Sequence, residues 1–245
     1  MFLQIEITTR CQFTCDYCAG RHMPQEDMSF DRFVNIIDAF RKQYGEPTWV
    51  SLQGEGEPTL HPQFFEMLAY LKPVKTMTIT NGTYHHPEHL VGLIDRIGVS
   101  IDTLDENLSA SYGRHNVQRT LSFIENLCSH MPITIMTVDY GQDMTKLKQY
   151  IEDHRFGWAI QKLQTKKDYT KNYTKLPIVD LNDTHRQVFR CGYLKTPIMR
   201  FFNVEGVEMP CCFIKDVSDF NSIETLHASL GSVVIPSLCE GCKFA

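Results

Sequence analysis

Short runs rich in valine, isoleucine and threonine alternate with longer amphipathic segments along the first two thirds of the chain. Such runs are typical of buried strands, and apolar residues that recur every three or four positions are typical of helices. Six strands are predicted: Leu3–Thr8, Trp49–Leu52, Val74–Thr80, Ile97–Ile101, Ile133–Val138 and Trp158–Leu163. Because strands that alternate with helices form parallel sheets, the pattern predicts an α/β fold, a partial (β/α)6 TIM-like barrel.

Amphipathic helices are predicted between these strands. The first begins after Ser29, a predicted N-cap, and ends before Gly45. The third is predicted from the apolar residues between positions 90 and 94. Cys128 lies on the apolar face of the fourth helix and is therefore predicted to be a buried core thiol.

The composition is that of a folded globular protein and excludes several classes of function. Of the 245 residues, 42% are hydrophobic and 22% are charged, which argues against a disordered chain. No apolar run reaches the roughly 18 residues of a membrane helix, and the first residues do not form a secretory signal. We therefore expect a cytoplasmic protein without a membrane partner. The net charge of −5 argues against a general nucleic-acid binder.

Nine cysteines point to chemistry. In a reducing compartment, clustered cysteines indicate metal binding or catalysis more often than disulfides. Cys11, Cys15 and Cys18 follow the first predicted strand directly, and the loop after a barrel strand is where barrel enzymes place their active sites. Three thiolates are one short of a structural zinc site but can hold three irons of a [4Fe–4S] cluster and leave the fourth open. A zinc site completed by a distant ligand stays the alternative.

The pattern Cys11-x3-Cys15-x2-Cys18, with Tyr17 before the last cysteine, resembles the cluster loop of the radical S-adenosylmethionine (radical SAM) enzymes. The segment 54–58, Gly-Glu-Gly-Glu-Pro, is similar to the family's Gly-Gly-Glu segment, except that Glu55 stands where a glycine is usual. Because Asn81, Ser100 and two arginines also match in position, the resemblance covers roughly residues 2–163. It implies that SAM is bound by Tyr17, Gly54, Gly56, Glu57, Asn81, Ser100 and, for its carboxylate, Arg114 or Arg119.

A base that acts on the substrate has one candidate. Asp102, Gln161 and Lys162 all lie near predicted strand ends, and Asp102 is taken as the catalytic candidate. The lysine-rich stretch 162–175 is predicted to be a solvated surface loop, and the histidines at 85, 86 and 89 are assigned to a surface turn before a helix.

The C-terminal cysteines follow the pattern Cys191-x19-Cys211-Cys212-x26-Cys239-x2-Cys242, with a hairpin predicted at Gly206. In the context of a radical SAM barrel this region resembles the auxiliary-cluster domain called SPASM or its shorter form, twitch. A full SPASM domain needs more cysteines than the five present, so twitch matches better. The resemblance implies a second [4Fe–4S] cluster, and a four-cysteine zinc site is the alternative. The implied ligands are Cys191, Cys211, Cys239 and Cys242, with Cys212 able to replace Cys211.

The resemblance divides the chain into three parts. Residues 1–165 are expected to form the barrel, residues 166–189 a linker and residues 190–245 the twitch/SPASM-like domain. Because the first predicted strand begins at residue 2, no leader-binding domain is expected before the barrel. In size and cysteine plan the chain resembles the small twitch dehydrogenases of aminocyclitol antibiotic biosynthesis.

The resemblance implies an oxidoreductase. SAM would be cleaved reductively to a 5′-deoxyadenosyl radical, with an electron from a flavodoxin- or ferredoxin-type partner, and the radical would take a hydrogen atom from the substrate. With help from the auxiliary cluster, the expected outcome is oxidation of a small polar molecule (a sugar, cyclitol or nucleoside). Epimerisation or another radical rearrangement stays open. One alternative is modification of a ribosomally made peptide. Another, from a different class, is a zinc-stapled binding protein without catalysis.

Overall fold

The computed structural model describes residues 1–176, 188–195, 199–215 and 222–242. In the described residues a single eight-stranded sheet lies at the centre of the fold. Its strands are β1 (Phe2–Ile5), β2 (Trp49–Leu52), β3 (Lys75–Thr80), β4 (Arg96–Ser100), β5 (Ile133–Asp139), β6 (Gly157–Lys162), β7 (Met199–Phe202) and β8 (Glu208–Met209). The order is β6-β5-β4-β3-β2-β1-β7-β8, and all these neighbours are parallel except β7 and β8. The prediction of an α/β fold with a partial parallel barrel is confirmed.

The helices of the described ranges lie between the strands, except the last, which follows β8. They are α1 (Phe30–Tyr44), α2 (Phe64–Leu71), α3 (Glu106–Ser111), α4 (Val117–Leu127), α5 (Thr145–His154), α6 (Lys167–Thr170), α7 (Gly192–Lys195) and α8 (Ile223–Ala228). The predicted limits of α1 are confirmed, because the Ser29 side chain accepts a hydrogen bond from Arg32 N and Gly45 has a φ of 79°. No helix in the described ranges is long and apolar enough to cross a membrane.

Two local predictions are wrong. Between β3 and β4 the chain forms a short 3-10 helix, Pro87–Leu90, instead of an α-helix, and Gly92 then turns it with a φ of 78°. Cys128 directly follows α4 at the position where the helix ends, so its thiol is exposed and not part of the core. In both cases the apolar residues have helical spacing, but the helix ends earlier than this spacing predicts.

The C-terminal region begins inside the barrel sheet. Strand β7 pairs in parallel with β1, with Phe2 opposite Met199 and Ile5 opposite Phe202. The predicted hairpin then follows, since Gly206 turns the chain with a φ of 78° and β8 returns antiparallel to β7. The sheet therefore has one more parallel strand than the six that the sequence indicates.

The two faces of the sheet have different surroundings. Alternate residues such as Leu3 and Ile5 are fully buried and share one core with Phe33 of α1 and Leu68 of α2. Residues of the opposite, inner face, among them Gln4, border a cavity at the carboxyl ends of the strands. This arrangement places the site inside the partial barrel.

The lysine-rich stretch 162–175 is only partly a solvated loop where the structure describes it. Lys162, Lys171 and Lys175 are exposed, but Lys166 is only 4% exposed and Tyr169 and Asn172 are buried. Asn172 and the buried Leu176 contact the cysteine loop that follows β1 and the residues just after it. Residues 177–187 of the predicted linker 166–189 lie outside the described residues, so the three-part division stays a prediction.

Candidate functional site

The N-terminal cysteine loop is fastened at the carboxyl end of β1. Thr14 N and Asp16 N donate to the carbonyl oxygens of Gly113 and Tyr112, at 3.1 and 2.9 Å. Gly113 has a φ of 84° and lies so close to Thr14 that a Cβ at this position would overlap the Thr14 carbonyl. The loop therefore has a fixed shape before any ligand binds.

A cavity of about 310 Å³ gathers most of the predicted site residues. It is lined by all three cysteines of the loop and by most residues to which SAM contacts were assigned. These are Cys11, Cys15, Cys18, Tyr17, Gly54, Gly56, Glu57, Asn81, Ser100 and Arg114. Arg119 and Asp102 do not line it.

The two glycines at positions 54 and 56 bring the second strand's loop against the cysteine loop. A Cβ at Gly54 would overlap the side chain of Glu6, and one at Gly56 would overlap the Thr8 carbonyl and lie 2.8 Å from the Arg10 oxygen. Since glycine alone lacks a Cβ, Gly54 makes room for the Glu6 side chain and Gly56 lets backbone meet backbone. The sequence analysis assigned these glycines to SAM binding. The structure shows that they allow close packing of the loop after β2 against the segment that leads into the cysteine loop.

Both oxygens of the Glu57 carboxylate accept hydrogen bonds from the protein. One oxygen accepts from the Thr80 hydroxyl at 2.7 Å and from both the hydroxyl and the N–H of Thr59, while the other accepts from Asn81 N at 2.6 Å. Burial raises the pKa of Glu57 above its ordinary value, against the effect of these hydrogen bonds. Glu57 therefore holds Asn81 in place at the end of β3, and its predicted SAM contact stays a prediction.

Asp102 belongs to a buried network beside the cavity. Its carboxylate accepts from the Tyr17 hydroxyl and from Val138 N at 2.7 Å, and it lies 3.4 Å from the guanidinium of Arg114. Arg114 in turn donates to Ser100 O at 2.7 Å. Because its oxygens face these groups, Asp102 is placed to orient Tyr17 and Arg114 and not to take a proton from a substrate in the cavity.

Of the two candidate arginines, the geometry favours Arg114. Arg114 lines the cavity next to Tyr17. Arg119 lies on α4 and donates to Thr83 O at 2.8 Å, on the outer side of the loop after β3. Only Arg114 is therefore placed to meet an anionic group of a ligand bound at the cysteine loop.

Glu55 and Lys215 form a buried ion pair that sequence reasoning missed. The Glu55 carboxylate accepts from Gly20 N at 3.0 Å, contacts the Cys18 thiol at 3.4 Å and binds the Lys215 ammonium. Although burial alone would raise it, Lys215 holds the pKa of Glu55 below its ordinary value. The sequence did mark Glu55, because it replaces a glycine that is usual at this position. It contained no pattern near position 215 that would have identified Lys215 as the partner of Glu55.

Asp16, inside the cysteine motif, anchors the stretch that follows α6. Its carboxylate accepts from Thr174 N at 3.1 Å, from Lys175 N at 3.0 Å and from Arg21 Nη1 at 3.0 Å. Burial opposes ionisation, but these hydrogen bonds lower the pKa of Asp16 to about 2. We call residues 172–175 the strap. An ionised Asp16 therefore holds the strap across the cysteine loop.

Four C-terminal cysteines face one another in a second apolar cluster. Burial, together with the neighbouring sulfur atoms of Cys191 and Cys242, raises the pKa of Cys211 to about 11 and that of Cys239 to about 12. Cys212 packs against the same cluster and also lines the first cavity. The choice between these two adjacent cysteines as the fourth ligand therefore stays a prediction.

Thr165 and Lys166, which follow β6, bind both segments that carry these cysteines. The Thr165 hydroxyl donates to Gly241 O, between Cys239 and Cys242, and Lys166 Nζ donates to Phe213 O at 2.6 Å. Lys166 brings a buried positive charge close to Cys211 and Cys239, where it lowers their thiol pKa values against the effect of burial. A buried cation suits a site that several thiolates would make negative.

The spacing of the sulfur atoms distinguishes a cluster from a single ion. Zinc–sulfur bonds of about 2.3 Å keep the sulfurs around one zinc within about 4.6 Å of each other. In the described part of the chain, three ligand atoms lie within 4.8 Å of one another only at His86, Glu88 and His89, on the surface. The described cysteines do not form such a close set. This spacing is compatible with a [4Fe–4S] cluster, in which each thiolate binds a different iron, and the choice between a cluster and zinc at the C-terminal group stays a prediction.

Solved structures share this fold over most of the chain. SuiB of Streptococcus suis, bound to S-adenosylmethionine, superposes with a TM-score of 0.69 at 18% identity, over 92% of this chain and 65% of SuiB. BtrN, in complex with AdoMet and 2-DOIA, superposes with a TM-score of 0.57 at 13% identity, over 99% of this chain and 92% of BtrN. At these identities the likeness establishes the fold, which is consistent with a twitch/SPASM-type C-terminal region.

Sequence relatives establish the family. The tungsten-containing aldehyde ferredoxin oxidoreductase cofactor-modifying protein of Pyrococcus furiosus is 27% identical over 170 residues, which are 61% of this chain and 48% of that protein. The chain spans about half the length of the curated relatives it matches first. The sequence profile of the radical SAM superfamily matches residues 5–154, more than half of the chain and the part that carries the cysteine loop. The chain therefore belongs to the radical SAM superfamily.

Proposed function

We propose that this protein is a radical SAM oxidoreductase that removes a hydrogen atom from a small polar substrate and oxidises it. The observation that carries the proposal is one cavity bounded by the three-cysteine loop and by the segment 212–215 that follows Cys211. A substrate there would lie between the two cysteine groups. Membership of the family implies SAM and one [4Fe–4S] cluster.

The residues around the cavity fit the binding of these groups. Cys11, Cys15 and Cys18 would hold three irons, and together with SAM such a cluster supplies a carbon-centred radical that can break an unactivated C–H bond. Arg114 is placed to pair with a carboxylate, and Asn81 is held at the cavity wall by Glu57. The protein's own contribution is to fix these groups and to exclude water.

The second cysteine group supports net oxidation. Cys191, Cys211, Cys239 and Cys242 would hold an auxiliary cluster, and Cys211 adjoins Cys212 at the cavity wall. A redox centre so close to the substrate can take up the second electron of a dehydrogenation. An electron carrier of the flavodoxin or ferredoxin type would supply the first reduction.

The cavity wall favours a polar substrate. Its amide side chains, Gln4, Gln53 and Gln161, can hydrogen-bond to the hydroxyl groups of a sugar, cyclitol or nucleoside. The overlap with BtrN, whose structure holds AdoMet and 2-DOIA, extends over 92% of BtrN. A peptide substrate is the second candidate, because SuiB bound to precursor peptide SuiA superposes with a TM-score of 0.67.

Reductive SAM cleavage tests the proposal. Anaerobically reconstituted protein, reduced with dithionite, should form 5′-deoxyadenosine, and Cys15→Ala should abolish this because one cluster ligand is lost. Cys128→Ala is the matched control, since Cys128 is exposed and outside both cysteine groups. Undiminished cleavage by Cys15→Ala would contradict the radical mechanism. Zinc without sulfide in the anaerobic protein would instead support a zinc-stapled binding protein.

A further inference from the structure

One buried charge lies directly against a sulfur atom of the N-terminal cysteine loop. The Cys18 thiol donates to Glu55 Oε2 at 3.4 Å, and the same oxygen accepts a hydrogen bond from Gly20 N at 3.0 Å. The hydrogen-bond partners of the Cys11 sulfur that the structure describes are all uncharged, among them Phe13 N at 3.4 Å. Among the described residues, Glu55 is therefore the one side chain that brings a charge within hydrogen-bonding distance of a sulfur of this loop.

Lys215 balances this carboxylate from the C-terminal part of the chain. Its ammonium binds Glu55 Oε1, the oxygen that does not contact Cys18, and donates to Cys212 O at 2.7 Å. It also lies 5.4 Å from the centre of the Tyr169 ring, as a cation–π pair. The ion pair is therefore oriented, with its negative end towards Cys18 and its positive end towards the segment that carries Cys212.

Stability alone does not explain two charges at this place. The Lys215 and Glu55 side chains are only 13% and 14% exposed. Removing charges from water has a cost that their mutual attraction often fails to repay, and apolar side chains of similar volume are often as stabilising. The charges themselves therefore point to a role, and the sulfur of Cys18 lies within their reach.

Charges beside a ligand sulfur change the affinity of an iron–sulfur cluster for an electron. Reduction potentials of such clusters depend on net charge and on hydrogen bonds to the sulfur atoms. The reduced cluster carries one more negative charge than the oxidised one, so a carboxylate beside Cys18 disfavours reduction and an ammonium favours it. These effects are strongest where burial limits screening by water and salt.

We propose that the Glu55–Lys215 pair sets the reduction potential of the cluster at the N-terminal cysteine loop. Glu55 lowers this potential, and Lys215 offsets part of the effect from the C-terminal segment. The electron comes from the external carrier, which is oxidised as the cluster is reduced. Both side chains are positioning residues, since they act on the cluster through Cys18. The inference rests on the cluster that membership of the family implies, and not on the identity of the substrate.

A redox titration of the reconstituted full-length protein, followed by electron paramagnetic resonance, tests the proposal. The signal that changes when SAM is added identifies the N-terminal cluster. Glu55→Gln keeps the size of the side chain and an oxygen for Gly20 N, but it removes the negative charge and leaves Lys215. Its reduction equilibrium should shift about tenfold towards the reduced cluster, which raises the potential by about 59 mV for one electron.

Two further variants separate the charge from other effects. The double variant Glu55→Gln/Lys215→Met should shift the potential less than Glu55→Gln alone, because the positive charge is lost as well. Glu66→Gln, at an exposed position of α2, is the matched control and should titrate like the wild type. Glu55→Gly, the residue usual at this position of the family's segment, should also raise the potential and carries the comparison should Glu55→Gln not fold.

The outcomes separate this inference from the proposed function. An unchanged or lower potential in Glu55→Gln would overturn the inference, as would a double variant that shifts at least as far as Glu55→Gln. The expected shifts, together with no 5′-deoxyadenosine from the wild type, would contradict the proposed function and still support the inference. Iron content and circular dichroism check that each variant folds and binds its clusters.

Discussion

Glu55 stands at a position where the family's segment usually has a glycine, and its carboxylate joins two distant parts of the chain. It contacts Cys18 and Gly20 on one side and Lys215 on the other, 160 residues away in sequence. Lys215 also donates to Cys212 O at 2.7 Å. A single departure from the family pattern thus ties the first cysteine loop to the segment that carries Cys211.

Asp16 supports a prediction at the same scale. Asp16→Asn keeps the size of the side chain but removes the charge that accepts hydrogen bonds from Thr174, Lys175 and Arg21. Hydrogen bonds to a charged group contribute about 1.5–3 kcal/mol, so the free energy of unfolding should fall by about 2 kcal/mol. Guanidinium unfolding measures this. Asp31→Asn, at an exposed position of α1, should change it little.

The same variant should change how stability depends on pH. The pKa of Asp16 is about 2 in the folded protein, against an ordinary value of 3.8. A lowered pKa means that the ionised group stabilises the fold fully above about pH 4 and loses this contribution as the pH falls towards 2. The stability difference between wild type and Asp16→Asn should shrink over this range. A constant difference down to pH 2 would contradict the role of the charge.

At the scale of elements, the site depends on three loops at the carboxyl ends of neighbouring strands. The loop after β1 carries the cysteines, the loop after β2 packs against it through Gly54 and Gly56, and Glu57 bonds to the loop after β3 at Asn81. Each of these loops holds its neighbour in position. A substitution in the loop after β2 should therefore alter the conformation of the cysteine loop.

Gly56→Ala tests this dependence. The added Cβ would overlap the Thr8 carbonyl and lie 2.8 Å from the Arg10 oxygen, both of which are backbone atoms that cannot turn away. Overpacking of this kind costs about 1–3 kcal/mol, and iron incorporation at the N-terminal site should fall with it. Iron content and thermal midpoint are the measurements. Gly192→Ala meets open space and should leave both unchanged.

The elements also show what the sequence could and could not predict. The six barrel strands and the limits of α1 follow from local apolar spacing and caps, and the cysteine spacing was enough to identify the loop. Strand β7 was missed as a member of the sheet because it has only four residues and its parallel partner, β1, lies nearly 200 residues earlier in the chain. Lys215 was missed for the same reason, since no local pattern records its pairing with Glu55.

At the scale of the whole molecule, the segment that carries Cys211 reaches the wall of the cavity that the first cysteine group lines. Cys212 and Lys215 border the cavity of the first group, while Cys211 faces the second group. Lys166 and Thr165 fasten the end of the barrel to the segments that carry the second group. Electron transfer between a bound substrate and the second group would therefore cross only a short stretch of protein.

Cys239→Ala tests whether the second group takes part in turnover. With two clusters the wild type should contain about eight irons per chain, and the variant about four. Formation of 5′-deoxyadenosine should persist, because the N-terminal loop is intact, while oxidised product should be lost. Iron and sulfide analysis and product quantification measure these effects. Normal product formation by the variant would show that the second group serves structure alone.

The pairing of β7 with β1 has a consequence for the order of synthesis. Strand β1 is synthesised nearly 200 residues before β7, so one of its two edges stays unpaired until Met199–Phe202 has been made. An unpaired strand edge invites pairing with the wrong chain. We therefore expect a chain truncated at residue 165 to aggregate, and iron delivery to the cysteine loop to be productive only after the C-terminal strand has completed the sheet.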